Sequence, residues 1–103
     1  MKKYACNRLY MADGHYETPS VVRVDKEGKV EGHFPLTEEA SATEWIGGVV
    51  VLSDKDACDV VRTDFRTFLH TMTRSGHPLY AWHISGFDFL KEDFTPQSVI
   101  RRL

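Results

Sequence analysis

Several signatures of catalysis, redox chemistry and membranes are missing from this sequence. It has two cysteines, Cys6 and Cys58, too few for a disulfide framework and too far apart for a Cys-x-x-Cys metal or redox pair. Its five histidines, His15, His33, His70, His77 and His83, form no His-x-His or His-x-x-x-His pair, and none has a carboxylate three residues away on a helix. Two ligands on one element need such spacing to reach one ion. Nowhere is there a run of the ~18 apolar residues that a membrane span requires. The opening stretch MKKYACNRLYMADG is broken by Asn7, Arg8 and Asp13 before it can form the apolar region of a signal segment. Gly47-Gly48 precedes a strand pattern instead of a helix, so it is not a phosphate loop. With charged residues at 27% and a net charge of only -2, no global field draws the chain to polyanions. The expectation is a reduced, cytoplasmic protein with no metal or organic cofactor, and with neither membrane nor nucleic acid as partner.

What remains is ample for a core. A chain of 103 residues that is 42% hydrophobic has the size and apolar content of one domain. The expected class is α+β, mainly β: a small β-sandwich or β-roll of about six to seven strands with one covering helix. Residues 1–52 supply N-terminal strands, 53–76 a connector and helix, and 77–103 C-terminal strands. YACNRLYM reads as a first strand stopped by Asp13-Gly14. SVVRVD and KVEGHF alternate with period two across the turn Asp25-Lys26-Glu27-Gly28, with Val30, Gly32 and Phe34 expected on one face. WIGGVVVL, apolar on both faces, reads as a single central strand. From about 61 to 75 the spacing becomes helical: Val61, Phe65, Phe68, Leu69 and Met72 form one stripe. Thr63 or Asp64 is the expected cap, and Gly76 the stop. In LYAWHISGFDFL, Tyr80, Trp82 and Ile84 alternate against Ala81, His83 and Ser85, and SVIRRL is a last short strand.

Three groups of residues are chemically suggestive. Arg62, Arg66, His70 and Arg74 recur every four residues and line one helix face, either as a solvated surface or as a ridge that holds an anion or an acidic protein partner. Cys58 with a histidine is a candidate nucleophile and base. Asp56 and Asp59 beside it raise a thiol pKa, however, which favours a small, partly buried residue at a loop or helix edge. Tyr80 and Trp82, with Phe87 and Phe89, read as core or as a homodimer interface in preference to a base-stacking platform.

The order of elements in YACNRLYMADG, SVVRVDKEGKVEGHF and WIGGVVVL resembles the opening of metal-dependent amidohydrolases, and LYAWHISGFDFLKEDFTPQSVIRRL resembles their returning C-terminal strands. In that family these strands make a small β-sandwich with a metal-binding barrel inserted between its halves. The family's strand matching Val49–Leu52 runs on to a His-x-His metal pair. Here the chain continues SDKDACDVV, and no histidine lies between His33 and His70. Such a barrel takes about 250 residues, so no catalytic residue carries over. The resemblance implies a non-catalytic binding or assembly module. The alternatives are an accessory subunit docking an acidic partner through the basic ridge, or a small hydrolase-like enzyme using Cys58 and histidine.

Overall fold

The computed structural model describes residues 2–11, 15–36, 42–55, 64–72 and 79–103. Among these it places nine strands and one helix, in the order β1 (Lys2–Cys6), β2 (Arg8–Tyr10), β3 (Tyr16–Glu17), β4 (Ser20–Val24), β5 (Val30–Pro35), β6 (Thr43–Trp45), β7 (Val49–Ser53), α1 (Phe65–Met72), β8 (Tyr80–Ser85) and β9 (Val99–Arg102). One sheet has the order β5-β4-β1-β6 and the other β3-β2-β7-β8-β9. The α+β, mainly β class expected from the sequence is the class observed.

Two segments read as single strands are each two strands in different sheets. Residues 4–11 divide at Asn7 into β1 and β2, and WIGGVVVL divides at Gly47-Gly48 between β6 and β7. The two breaks lie side by side, because β1 pairs with β6 and β2 with β7, both parallel. The Asn7 and Arg8 amides donate to the Gly48 carbonyl (3.1 and 3.3 Å). The Gly48 amide in turn donates to Asn7 Oδ1 (2.8 Å). Gly47 and Gly48 both have left-handed backbone, φ +64° and +65°, which glycine adopts without steric cost. This pinned corner carries the chain from one sheet to the next.

β7 is the middle strand of its sheet, as its unbroken apolar character predicts. Val49 and Val51 face a core shared with α1, where Phe65 meets Tyr10, Phe87 and Phe94 edge-on at 5.0, 4.7 and 5.7 Å. Val50 and Leu52 face the other way, into a core with Leu9 of β2 and with Cys6, Val22 and Val24 of the neighbouring sheet. Three layers result, with the five-stranded sheet buried on both sides. Each large side chain so buried contributes about 1.5–3 kcal/mol.

Helix α1 lies within the expected 61–75 span, and Asp64, one of the two caps considered, caps it. Asp64 Oδ1 accepts the Thr67 amide (2.7 Å), and Phe65, Phe68 and Met72 are buried. The expected ends at 61–63 and 73–76 lie outside the described residues, as does the Asp13-Gly14 turn. The β4–β5 turn forms as predicted, with Asp25 Oδ1 accepting the Glu27 and Lys29 amides (2.8 and 2.9 Å). One detail differs. A register shift at Arg23/Val24 pairs Arg23 with Gly32 but Val24 with Val30, so Glu31 is an extra residue. Val30 therefore turns inward while Gly32 and Phe34 share the opposite face.

Candidate functional site

The most organised polar cluster lies where the edge of the five-stranded sheet, the start of α1 and the 86–98 loop meet. Arg8 and Tyr10 sit two residues apart on β2 and so share the face turned toward the helix, whereas Leu9 between them enters the other core. The Arg8 guanidinium is held between two aromatic rings, 4.7 Å from the Tyr16 centroid and 5.0 Å from that of Phe89. Stacking of this kind fixes the plane of an arginine and leaves its N–H edge to recognise an anion.

The loop brings a carboxylate to that edge. The Asp88 and Asp93 amides donate to each other's carbonyls (3.0 and 3.2 Å), and Asp88 Oδ1 accepts the Leu90 and Lys91 amides (3.0 and 3.1 Å). Leu90 stands fully exposed at the tip of this hydrogen-bonded turn. Glu92 takes φ +52°, an uncommon conformation for a side-chain-bearing residue. Its Oε2 accepts the Tyr10 hydroxyl proton at 3.0 Å and lies 3.6 Å from Arg8 Nη1. Its Oε1 lies 3.7 Å from Arg66 Nη2. Tyr10 is buried, and its hydroxyl is pushed up to about 12, chiefly by burial, with Arg8 lowering and Glu92 raising it.

The other acids nearby are occupied. Asp93 Oδ1 accepts the Phe65 and Phe94 amides (2.9 and 2.8 Å). Asp64 caps Thr67 and is held below the ordinary carboxylate range first by that amide. Together with Phe65, Arg66, Lys91 and Glu92 they line a crevice of about 260 Å³. The chain matches no family model, no curated protein and no solved structure. The reading of this site therefore rests on its own geometry.

The residues singled out in the sequence fall in different places. Arg66 joins the cluster, and His70 lies exposed one turn further along α1. Arg62, Arg74, Cys58 and His77 lie outside the described residues. Trp82 is 7% exposed and sits in the core between sheet and helix, its indole N–H donating to the Lys55 carbonyl (2.9 Å). Tyr80 is half-buried, with the Arg102 guanidinium 5.1 Å from its ring centroid. Cys6, read as core, is buried. Its thiol donates to the Arg8 and Ser20 carbonyls (3.3 and 3.7 Å), and burial pushes it up to about 12.

The described histidines fall at separate places. His33 Nδ1 lies 3.4 Å from Glu17 Oε1. His83 is buried at the inter-sheet corner, with Nε2 3.1 Å from the Gly47 carbonyl. Among the described residues no three histidines, cysteines or carboxylates come together in a way that could hold a metal.

Arg8, Tyr10, Tyr16 and Glu92 were missed in the sequence, and Phe89 was read only as part of an aromatic core or interface. Only the alternation of Arg8 and Tyr10 on one strand face offered a signal, since Glu92 reaches them across 82 positions.

Proposed function

We propose that the chain is a non-catalytic binding module that docks an acidic protein partner on the surface formed by Tyr16, Arg8, Phe89, Leu90 and Arg66. One observation carries this reading: a fully exposed leucine is presented on a tightly hydrogen-bonded turn beside an arginine clamped between two rings. An exposed leucine gains nothing in the isolated chain, and ordering it in advance lowers the entropy cost of docking it into an apolar pocket. Tryptophan, tyrosine and arginine are the side chains that most often dominate interface energies, and leucine does so less often. Tyr16 and the arginines are thus the expected energetic centre. Tyr16 is 43% exposed and Arg66 projects into solvent, so both are within a partner's reach. Arg66 and Lys91, both exposed beside the Leu90 tip, are the cations a partner's carboxylates would meet, although Asp64, Asp88, Glu92 and Asp93 balance their charge within the cluster.

This reading keeps Arg66 from the basic ridge and moves the centre of the site from the helix to the β2 and loop edge. A relation to the amidohydrolase sandwich remains part of the proposal. It is supported by the way the C-terminal strands β8 and β9 complete the sheet that β2 and β7 begin.

The test is a peptide-display selection on the purified chain. Selected peptides are expected to carry an apolar residue flanked by Asp or Glu, and to lose at least tenfold in affinity against Leu90→Ser and against Arg66→Glu. A tenfold loss corresponds to about 1.4 kcal/mol. No binders, or binders indifferent to both variants, would overturn the reading.

A further inference from the structure

We infer that Tyr10, Arg8 and Arg66 form a carboxylate-binding site that Glu92 fills from within, and that a partner docks by replacing Glu92 with a carboxylate of its own. The identity of the displacing group rests on the docking reading above; the site itself does not.

The first argument is incomplete coordination. Of the three groups around the Glu92 carboxylate, only the Tyr10 hydroxyl is at hydrogen-bonding distance, 3.0 Å. The two guanidiniums stand at 3.6 and 3.7 Å, well beyond the ~2.7–2.9 Å of a charge-assisted hydrogen bond. Glu92 balances their charge without saturating their donors. The paired Asp88 and Asp93 backbone groups hold the turn that carries Glu92, and from there its carboxylate reaches only the Tyr10 hydroxyl closely. A carboxylate not tied to this loop has no such constraint.

The second argument is conformational. Glycine or asparagine is the usual occupant of a left-handed position, yet here the residue is a glutamate at φ +52°. That choice brings a carboxylate to the Tyr10, Arg8 and Arg66 groups, where glycine would bring none. The third argument concerns the receiving groups. Arg8 is stacked between Tyr16 and Phe89, and Tyr10 is packed against Tyr16 and Phe65. Both stay in place when Glu92 swings away. Asp64 and Asp93 already accept backbone amides, so neither substitutes for it. An emptied site would hold two guanidiniums and a phenol O–H facing one point, which is a demand for an anion. The two Glu92 oxygens divide between Arg66 on one side and Arg8 with Tyr10 on the other, and this spacing suits a planar two-oxygen group.

The experiment titrates acetate into the wild-type chain, Glu92→Asn and Glu92→Gln, following the Arg8 side-chain Nε–Hε resonance by NMR. Asparagine tolerates the left-handed backbone, so Glu92→Asn keeps the test valid if Glu92→Gln folds poorly. Acetate is expected to bind the emptied variants at least tenfold tighter than wild type, and the gain should vanish when Arg8→Gln and Arg66→Gln are added. Equal acetate affinity in wild type and Glu92→Asn would overturn the site, whatever peptides do. Inorganic phosphate binding Glu92→Asn tenfold tighter than acetate would overturn its assignment to carboxylates. A display-selected acidic peptide should bind Glu92→Asn at least fivefold tighter than wild type, and unchanged peptide affinity alongside the acetate gain would overturn displacement. Failure to select any peptide while the acetate gain persists would sink the docking reading and uphold the site.

Discussion

Gly47 and Gly48 offer a controlled experiment on the corner that joins the sheets, because their backbones match and their surroundings do not. Both have φ near +65°, so alanine at either position pays the same left-handed penalty, about 1–2 kcal/mol. Both substitutions also stiffen the unfolded chain equally, and that contribution cancels between them. At Gly47 a Cβ would meet Asn7 Oδ1 at 3.4 Å and Trp45 Nε1 at 3.6 Å, ordinary contact with side chains that can shift. At Gly48 it would lie well inside 3.0 Å of the Ile84 carbonyl oxygen, with His83 Nε2 at 3.2 Å. Ile84 is paired with Val49 in the ladder between β7 and β8, so its carbonyl moves only if two central strands part. Forced overpacking of this kind adds about 1–3 kcal/mol. Gly47→Ala should therefore cost about 1–2 kcal/mol and Gly48→Ala about 2–5 kcal/mol. On the scale of a domain this size the first is a melting-point drop of roughly 4–15 °C and the second is larger still. Urea denaturation followed by far-UV circular dichroism measures both. Equal losses in the two variants would refute the claim that close approach of β8, and not backbone strain alone, makes Gly48 indispensable.

Two further outcomes follow from the buried titratable groups. His83 is held below its ordinary value first by burial, against the opposing Gly47 carbonyl. The unfolded chain therefore takes up this proton before the folded one does, and stability falls as pH drops below about 6.5. Replacing His83 with Gln should flatten that part of the pH–stability curve, and an unchanged slope between pH 7 and 5 would contradict it. Tyr10, pushed up to about 12, should be the last described tyrosine to ionise in an alkaline titration at 295 nm, so that Tyr10→Phe removes the latest step. A missing early step in its place would show that the hydroxyl is more open to solvent than the packing implies.

The elements written in local pattern were legible without coordinates. Asp25 to Gly28 specify their turn through a side chain and a glycine within four residues, and the hairpin forms there. Phe65, Phe68 and Met72 specify a helical stripe, and Asp64, one of two caps the residues allowed, takes the capping place. The apolar run of β7 announces a strand covered twice. Its limits are equally physical. The register shift beside Arg23 depends on how two strands pair, and so does the inward turn of Val30. The single strand expected across WIGGVVVL became two because Asn7, forty-one residues away, captures the Gly48 amide.

The sequence by itself determined the class of the fold and its core, since periodicity selects strand or helix and apolar content selects what is buried. Only the tertiary structure decided the candidate site. Arg8, Arg66 and Glu92 are widely separated along the chain, and nothing local marks any of them as a partner of the others. They meet because β2 lies at one side of the sheet, α1 packs across that face, and the turn after β8 folds back over both. A charge cluster gathered from three elements is a property of packing, whereas a strand or a helix is already a property of its own residues.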